Sequence, residues 1–292
     1  MGLLNRVPWW AKVGAKIVLS RLPVPYKAWR AMGLFRHGET NLPIRALQTF
    51  STYYSKITRY KALEPGFTSL ELGPGDSVLT GLVASAFGAS TVYLVDRGPY
   101  AETDLGACLK LSALLEQSGR PLPDLSMCKS IDDVMARCNV RYIVTGTEGM
   151  RKIPDASVDV MWSQVVLEHI RLVEVPIFMA ELRRVAKVGS IGYHSVDFRD
   201  HLGGGLNHLR FSRSVWESEV FANSGFYTNR LRLPEMLNLF GSAGFDVDVP
   251  CTTTWPEMPL SRGKICQEFQ DFEDDTLRIA EAELVVRPAG TL

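Results

Sequence analysis

Four residues in the first third of the chain have types and spacing suited to holding a nucleotide. Gly73 and Gly75 sit in "LELGPGDS" (70–77), between a short apolar run and a helical-looking one. Glycines there let a backbone approach a ligand closely, and Pro74 stiffens the turn. Glu71 closes the first apolar run, and Asp96 closes a second, "STVYLVD" (90–96), 23 residues after Gly73. In an open parallel sheet both acids would stand at strand carboxyl ends, where ligands bind. An acid ending the second strand can accept hydrogen bonds from both hydroxyls of a ribose. A dinucleotide fits less well: its fingerprint needs a third glycine where this chain has Val78. Glu71 and Asp76 also place negative charge where a pyrophosphate would sit. The pattern asks for an adenosine-type ligand with positive charge, with Ser77 free to cap the helix that follows.

A second group lies after the middle of the chain. His194, Asp197, Asp200 and His201 cluster in "HSVDFRDH", with His208 beyond three glycines and His169 upstream in "LEHI". Three readings stay open. His201, oriented by Asp197 or Asp200, could be a general base. The same side chains could hold a divalent metal. Or the aspartates could simply pair with Arg199 and Arg210. His169 is either a base or a helix-start residue. In "YTNRLR", Asn229, Arg230 and Arg232 could read an anionic substrate through forked hydrogen bonds or be ordinary surface charge. Trp216, Phe221, Phe226 and Tyr227 could wall an acceptor such as a sugar, or pack their own loop.

These groups need a framework. Apolar, β-branched runs at 67–72, 90–96, 141–146, 157–164 and 190–197 predict five strands, and helical segments are expected at 77–88, 101–118, 130–138 and 172–187. A last helix (234–243), a strand near 245–253 and a final strand at 280–288 follow. Such alternation indicates an α/β domain with an open, mostly parallel sheet and helices on both faces. Ser163 and Gln164 then fall at the carboxyl end of the fourth strand. A long irregular region at roughly 198–228 argues for function. A Tyr-rich helix is expected over 46–62.

The chain has 292 residues and zero formal net charge, but the charge is uneven. Residues 1–38 hold seven bases and no acid, leaving −7 for the rest. In "VPWWAKVGAKIVLSRL", Trp9, Val13 and Ile17 share one helical face and Lys12 and Lys16 another. That helix either lies in a membrane interface, making residues 6–36 a peripheral membrane contact, or caps the domain. A short second helix is expected after Pro23 and Pro25. Five scattered cysteines without a CxxC pair point to a reducing compartment. No apolar run approaches the roughly 20 residues of a membrane span. No secretory signal and no nucleic-acid motif is found.

"ELGPGDS", "VYLVD", "IPDASVDVMWSQVVLEHI" and "ELRRVAKVGSIGYHSVD" stand in one order. Together they resemble the class I S-adenosylmethionine-dependent methyltransferases over about residues 66–198. "LPVPYKAWRAMGLFRHG", "ELGPGDS", "VDFRDHL" and "YTNRLR" are also similar to methyltransferase-like proteins of bacterial surface-glycan gene clusters. The resemblance implies a Rossmann-like sheet of seven strands, the last antiparallel, in residues 63–292, with a helical extension over 1–62. It implies S-adenosylmethionine as cofactor, whose sulfonium and ammonium suit the acids of the turn. Glu71, Gly73, Gly75 and Ser77 would take its methionine end, Asp96 its ribose, Thr147 and Glu148 beside Gly146 its adenine, and Ser163 and Gln164 the neighbourhood of its methyl group. His201, Asp197 and His169 are the catalytic candidates; His194, Asp200, His208, Asn229 and Arg230 are the substrate-binding ones. Some small-RNA methyltransferases place Glu-x-x-Glu-His at the "LEHI" position; here Val165 replaces the first acid, which weakens the metal reading, and no metal is expected. The implied reaction is O-methylation of a sugar or glycan precursor at the cytoplasmic membrane face. Alternatives are a small-molecule methyltransferase and a non-catalytic, cofactor-binding scaffold.

Overall fold

The computed structural model describes residues 8–22 and 40–290. The second expected helix of the N-terminal extension lies outside the described residues. In chain order the elements are α1 (Trp9–Leu19), α2 (Pro43–Thr58), β1 (Thr68–Leu72), α3 (Leu79–Ala86), β2 (Thr91–Val95), α4 (Leu105–Gln117), α5 (Ile131–Arg137), β3 (Val140–Ile143), α6 (Gly146–Met150), β4 (Val158–Gln164), α7 (Val175–Val185) and β5 (Ala186–Asp197). There follow α8 (Arg213–Trp216), α9 (Glu219–Ala222), α10 (Leu233–Ser242), β6 (Phe245–Thr254), α11 (Asp274–Leu277) and β7 (Ile279–Pro288).

The strands form one seven-stranded sheet in the order β3-β2-β1-β4-β5-β7-β6. β1 to β5 run parallel, and β7 runs antiparallel between β5 and β6. The order reverses between β1 and β4, so a crevice opens at their carboxyl ends. Leu72 is in register with both Val95 and Ser163, which brings the ends of β1, β2 and β4 level. The central strands read as continuous apolar runs because both faces are covered. Leu70, Leu72 and Met161 pack towards α7 and α10, while Leu94, Trp162 and Tyr193 pack towards α2, α3 and α4.

α2 opens with Pro43 in its first turn, where a missing N–H costs nothing. Ala46, Phe50, Tyr53 and Ile57 form its buried stripe. Tyr53 packs tilted on Trp162 at 4.8 Å and meets Tyr193 edge-on at 5.9 Å. The third strand ends at Ile143, three residues early, because Gly146 takes φ +54° and donates its N–H to the Asp96 carbonyl, starting α6. β5 begins at Ala186, before the expected helix stop, with a register shift against β4.

Two segments are better packed than their sequences suggest. Within 198–228, Leu202, Trp216, Phe226 and Tyr227 form an apolar cluster that also takes Val13, Trp9 and Ile17 of α1. The α1 face offered to a membrane is therefore spent on protein. Leu206 and Leu209 pack with Leu260, Ile265, Phe269 and Leu277, giving a core to 255–278, a stretch without sequence periodicity.

Arg232 ties this periphery to the sheet. It is fully buried and donates to the carbonyls of Phe198 (2.9 Å), Leu277 (3.2 Å) and Ile279 (2.7 Å). Arg232→Met would fit the volume but leave those carbonyls unpaired, at about 1–3 kcal/mol per buried group. We expect a loss of about 3 kcal/mol in urea unfolding, with loosening of 198–200 and 277–279 in hydrogen exchange.

Candidate active site

The glycine turn is built as its composition requires. Gly73 and Gly75 take φ +64° and +67°, where a side chain is strained. Gly73 N–H donates to Val95 O (2.8 Å), and Gly75 N–H to the Asp96 carboxylate (3.0 Å). A Cβ on Gly73 would come 2.5 Å from a methyl of Val166. Ser77 Oγ accepts from Leu79 N–H at the start of α3. The loop after β2 folds back through Glu102 N–H to Asp76 O, and the Tyr142 hydroxyl accepts from Tyr100 and Ala101 N–H. Thr147 and Glu148 stand on the first turn of α6, beside the end of β2.

Glu71 is 5% exposed, and among the described residues no base pairs with it. Burial pushes its carboxyl up to about 8; the nearby Thr80 hydroxyl opposes this and the Asp96 charge adds to it. The turn thus borders a buried carboxyl with no base paired to it among the described residues, an acceptor suited to an ammonium or sulfonium and unsuited to phosphate.

At the end of β4 the two candidates part. Gln164 is exposed, but Ser163 is buried and its hydroxyl bonds His194 Nδ1 at 2.8 Å. His194 is fully buried against Phe240, and burial alone drives it down to about 3. It is a core histidine here, not a surface ligand. His208 is likewise buried near Trp216 and held well below its usual range by burial, then by Arg232 and Arg230.

The other candidates divide in the same way. Asp200 accepts from Leu202, Gly204 and Asn207 N–H and from the Asn207 amide, so its carboxylate organises the glycine loop. Asp197 is forked by Arg199 Nε and Nη2, both at 2.9 Å, and does not orient His201. The expected pairing with Arg199 holds for Asp197, whereas Asp200 is bonded by loop amides and Arg210 bonds Asn207 instead. Asn229 donates to Leu167 O and Ile170 O and so braces the "LEHI" turn. Arg230, at φ +61°, is buried, donates to Phe211 O, and lies over Trp216 and Phe269. Burial lowers its guanidinium to about 10. Neither side chain reaches a pocket mouth. Trp216, Phe226 and Tyr227 are buried and pack the loop.

Two histidines come together beside the crevice. His169, exposed, and His201, half-buried, meet edge to face at 4.8 Å. His169 Nδ1 lies 3.0 Å from Tyr227 O. A carbonyl only accepts, so Nδ1 carries the proton and Nε2 is the ring's basic atom. Burial lowers His201; the Asp197 charge opposes this and Lys16 adds to it. Among the described residues no group of three or more His, Cys, Asp or Glu is placed to hold a metal.

Two nearby residues, Glu168 and Tyr53, are not singled out by the sequence. Glu168 is buried, with Oε1 accepting from Asp197 N–H (3.1 Å) and Oε2 unpartnered. Burial raises it to about 8. Tyr53 bonds Ser195 Oγ at 2.6 Å, and its acidity is suppressed first by burial and then by the carboxyls of Glu283, Glu168 and Glu71. The sequence signal for Tyr53 was its place on the buried stripe of α2; for Glu168 it was adjacency to His169.

These shifts fix how stability follows pH. His194, His201 and His208 are depressed when folded, so their contribution is full above about pH 6.5 and is lost as pH falls. Glu71 and Glu168 are raised, so theirs is full below about 4.5 and is lost as pH rises to about 8. Between pH 6.5 and 8 only the carboxyls act. The ligand-free protein should lose about 1 kcal/mol per pH unit for each of them. Urea midpoints should show this slope, and it should flatten in Glu71→Gln and Glu168→Gln.

Comparison with known proteins adds one match in sequence and several in shape. Residues 70–193 match the family described as "Methyltransferase domain". No curated protein matches the chain. A Haemonchus contortus phosphoethanolamine N-methyltransferase 2 in complex with S-adenosyl-L-methionine is 15% identical, with TM-score 0.46, over 82% of this chain and 52% of that one. The Burkholderia thailandensis 1,6-didemethyltoxoflavin-N1-methyltransferase is 12% identical, with TM-score 0.42, over 84% and 78%. A Mesorhizobium loti S-adenosylmethionine-dependent methyltransferase is 14% identical, with TM-score 0.43, over 80% and 96%. The chain spans about half the length of the Haemonchus structures it is similar to. Likeness at this level carries no functional argument, and the fold stands on strand order and direction. On that order and direction the sheet is the class I methyltransferase fold, and residues 70–193 within it match the methyltransferase-domain family.

Proposed function

We propose that the protein transfers a methyl group from S-adenosylmethionine to an oxygen of a sugar or glycan precursor. The observation that carries the cofactor is Glu71, a buried carboxyl near the end of β1 with no base paired to it among the described residues. An ammonium would supply Glu71 with a counter-charge, which a pyrophosphate would not. Glu71 would hold the methionine end, Gly73 and Gly75 would let the backbone close on it, and Asp96 would take the ribose hydroxyls. When bound, the cofactor supplies an electrophilic methyl on a sulfonium.

The acceptor side is assigned to the His169–His201 pair. His169 Nε2 takes the proton from the acceptor hydroxyl, while Tyr227 O holds Nδ1–H and so fixes the tautomer. The oxygen acceptor is supported by this imidazole base, and the glycan by the sequence resemblance. A small-molecule acceptor would use the same atoms. The cytoplasmic membrane face enters the proposal through the other side of α1. Trp10 and Val18 there are 63% and 61% exposed, on a segment whose charges are all basic.

Two measurements test this. Calorimetry should show micromolar-range binding of S-adenosylmethionine and S-adenosylhomocysteine, weakened at least about tenfold in Asp96→Ala, with no binding of NADH. Run at pH 7 in buffers of different ionisation enthalpy, it should also show proton release, absent in Glu71→Gln, because the incoming ammonium ionises a carboxyl that burial holds at about 8. Binding of NADH alone would overturn the cofactor. Separately, Trp10→Asp should reduce co-sedimentation with anionic vesicles; equal binding by both proteins would remove the membrane from the proposal.

A further inference from the structure

The described contacts of α1 point to the 198–228 segment. Lys16 Nζ donates to His201 O at 2.9 Å, and Lys12 lies beside Gly203. Trp9 packs edge-on against Phe211 at 6.0 Å, with Arg210 over its ring at 4.9 Å. Val13 and Ile17 enter the cluster around Trp216 and Leu202, and Arg21 reaches Val220 O at 3.2 Å. The helix therefore grips its partner at three places: the 200–205 loop, the strip at 210–211, and α8–α9.

The first grip is the one with chemical consequence. Asp200 already ties the glycine loop through Leu202, Gly204 and Asn207, so the loop is shaped from within. Shape alone does not place it against the "LEHI" turn. Lys16 supplies an outside anchor, on the backbone of the residue whose ring touches His169. The charges facing His201 are Asp197, Asp200, Arg199 and Lys16, with the rings of His169 and His208 nearby. Asp197 and Asp200 have their oxygens engaged by Arg199 and by loop amides, and Lys16 comes from outside that loop.

We propose that α1 is part of the acceptor side of the site, and that Lys16 is a positioning residue which, by holding the His201 carbonyl, sets the His201 ring against His169. The proposal rests on His169 being the proton acceptor of the methyl transfer above. It makes the N-terminal helix a wall of the acceptor site.

The test uses the full-length chain with Lys16→Met, Lys16→Arg and Val13→Asp, the last breaking the apolar grip instead of the polar one. Imidazole resonances are followed through a pH titration by NMR, cleavage at 202–206 by thermolysin, and S-adenosylhomocysteine affinity by calorimetry. In Lys16→Met the His201 titration should move up, because a cation is removed; the His169 signals should shift, and cleavage should accelerate about tenfold. Lys16→Arg should restore all three. Val13→Asp should accelerate cleavage and shift both rings. Cofactor-analogue affinity should stay within about twofold throughout. Wild-type-like titration and cleavage in Lys16→Met would overturn the proposal. So would a parallel loss of analogue affinity, which would place Lys16 in the general fold. If the wild type binds no analogue, the methyltransferase reading itself falls, and the ring shifts then report a structural contact only.

Discussion

The separation between cofactor turn and acceptor turn is set by one tight contact. β4 leaves the sheet through Val165, whose φ of +57° is rare for a β-branched residue. Such a conformation costs of order 1–3 kcal/mol and persists only where its surroundings impose it. Here Val165 N–H is held by Ser195 O at 3.0 Å. The reversal throws Val166 against Gly73, where no Cβ could stand. Leu167 to Ile170 follow at once, so the turn bearing His169 is registered directly on the turn between β1 and α3. In-line displacement demands such registration, since an ångström of misplacement can cost orders of magnitude in rate.

Around this contact the electrostatics have one sign. Glu71 is buried with no cation paired to it among the described residues, Glu168 is buried with only the Arg199 charge in reach, and Asp76 and Asp96 border the turn. A buried carboxyl without a partner shifts its acidity until it is neutral or until a cation arrives. The fold uses its bases elsewhere. Arg199 neutralises Asp197, Arg232 binds three carbonyls, and Lys56 meets Glu283 at the sheet surface. Arg230 is likewise spent on packing the insertion. These basic side chains are committed to architecture and leave Glu71 unpaired among the described residues.

What was legible in the sequence follows from what is local. The glycine turn, Asp96, the alternation of strand and helix and the sheet class are written in short-range pattern and survive in the structure. Ser163 was not legible, because a strand alternates faces and the neighbouring residue points the other way. Asn229 and Arg230 read as substrate-binding or surface charge because polar residues are usually exposed; a left-handed backbone at Arg230 and a set of carbonyl partners carry them inside. Tyr53 was hidden by distance: Ser195, its partner, is 142 residues away. The histidines of "HSVDFRDH" looked alike in sequence. Burial separates them, leaving His201 near the crevice and sealing His194 and His208 in apolar surroundings.

The two halves of the site therefore differ in how they are made. The cofactor half is built by consecutive strand–turn–helix units, each close in sequence, on a sheet shared by many enzymes. The proposed acceptor half would be assembled from α1, the "LEHI" turn and the 198–228 segment, which meet only after the chain has folded. Asn229 bracing Leu167 and Ile170, Tyr227 bonding His169 and Leu172, and Lys16 bonding His201 are all contacts between distant segments. Such contacts cost more chain entropy to form, and each fixes fewer atoms than a strand ladder does. The acceptor half should therefore be the less stable part of the molecule and the part freest to change between relatives, because its replacement leaves the sheet and the glycine turn intact. Specificity for the acceptor would then be carried by the less regular segments of the chain, and cofactor binding by the most regular.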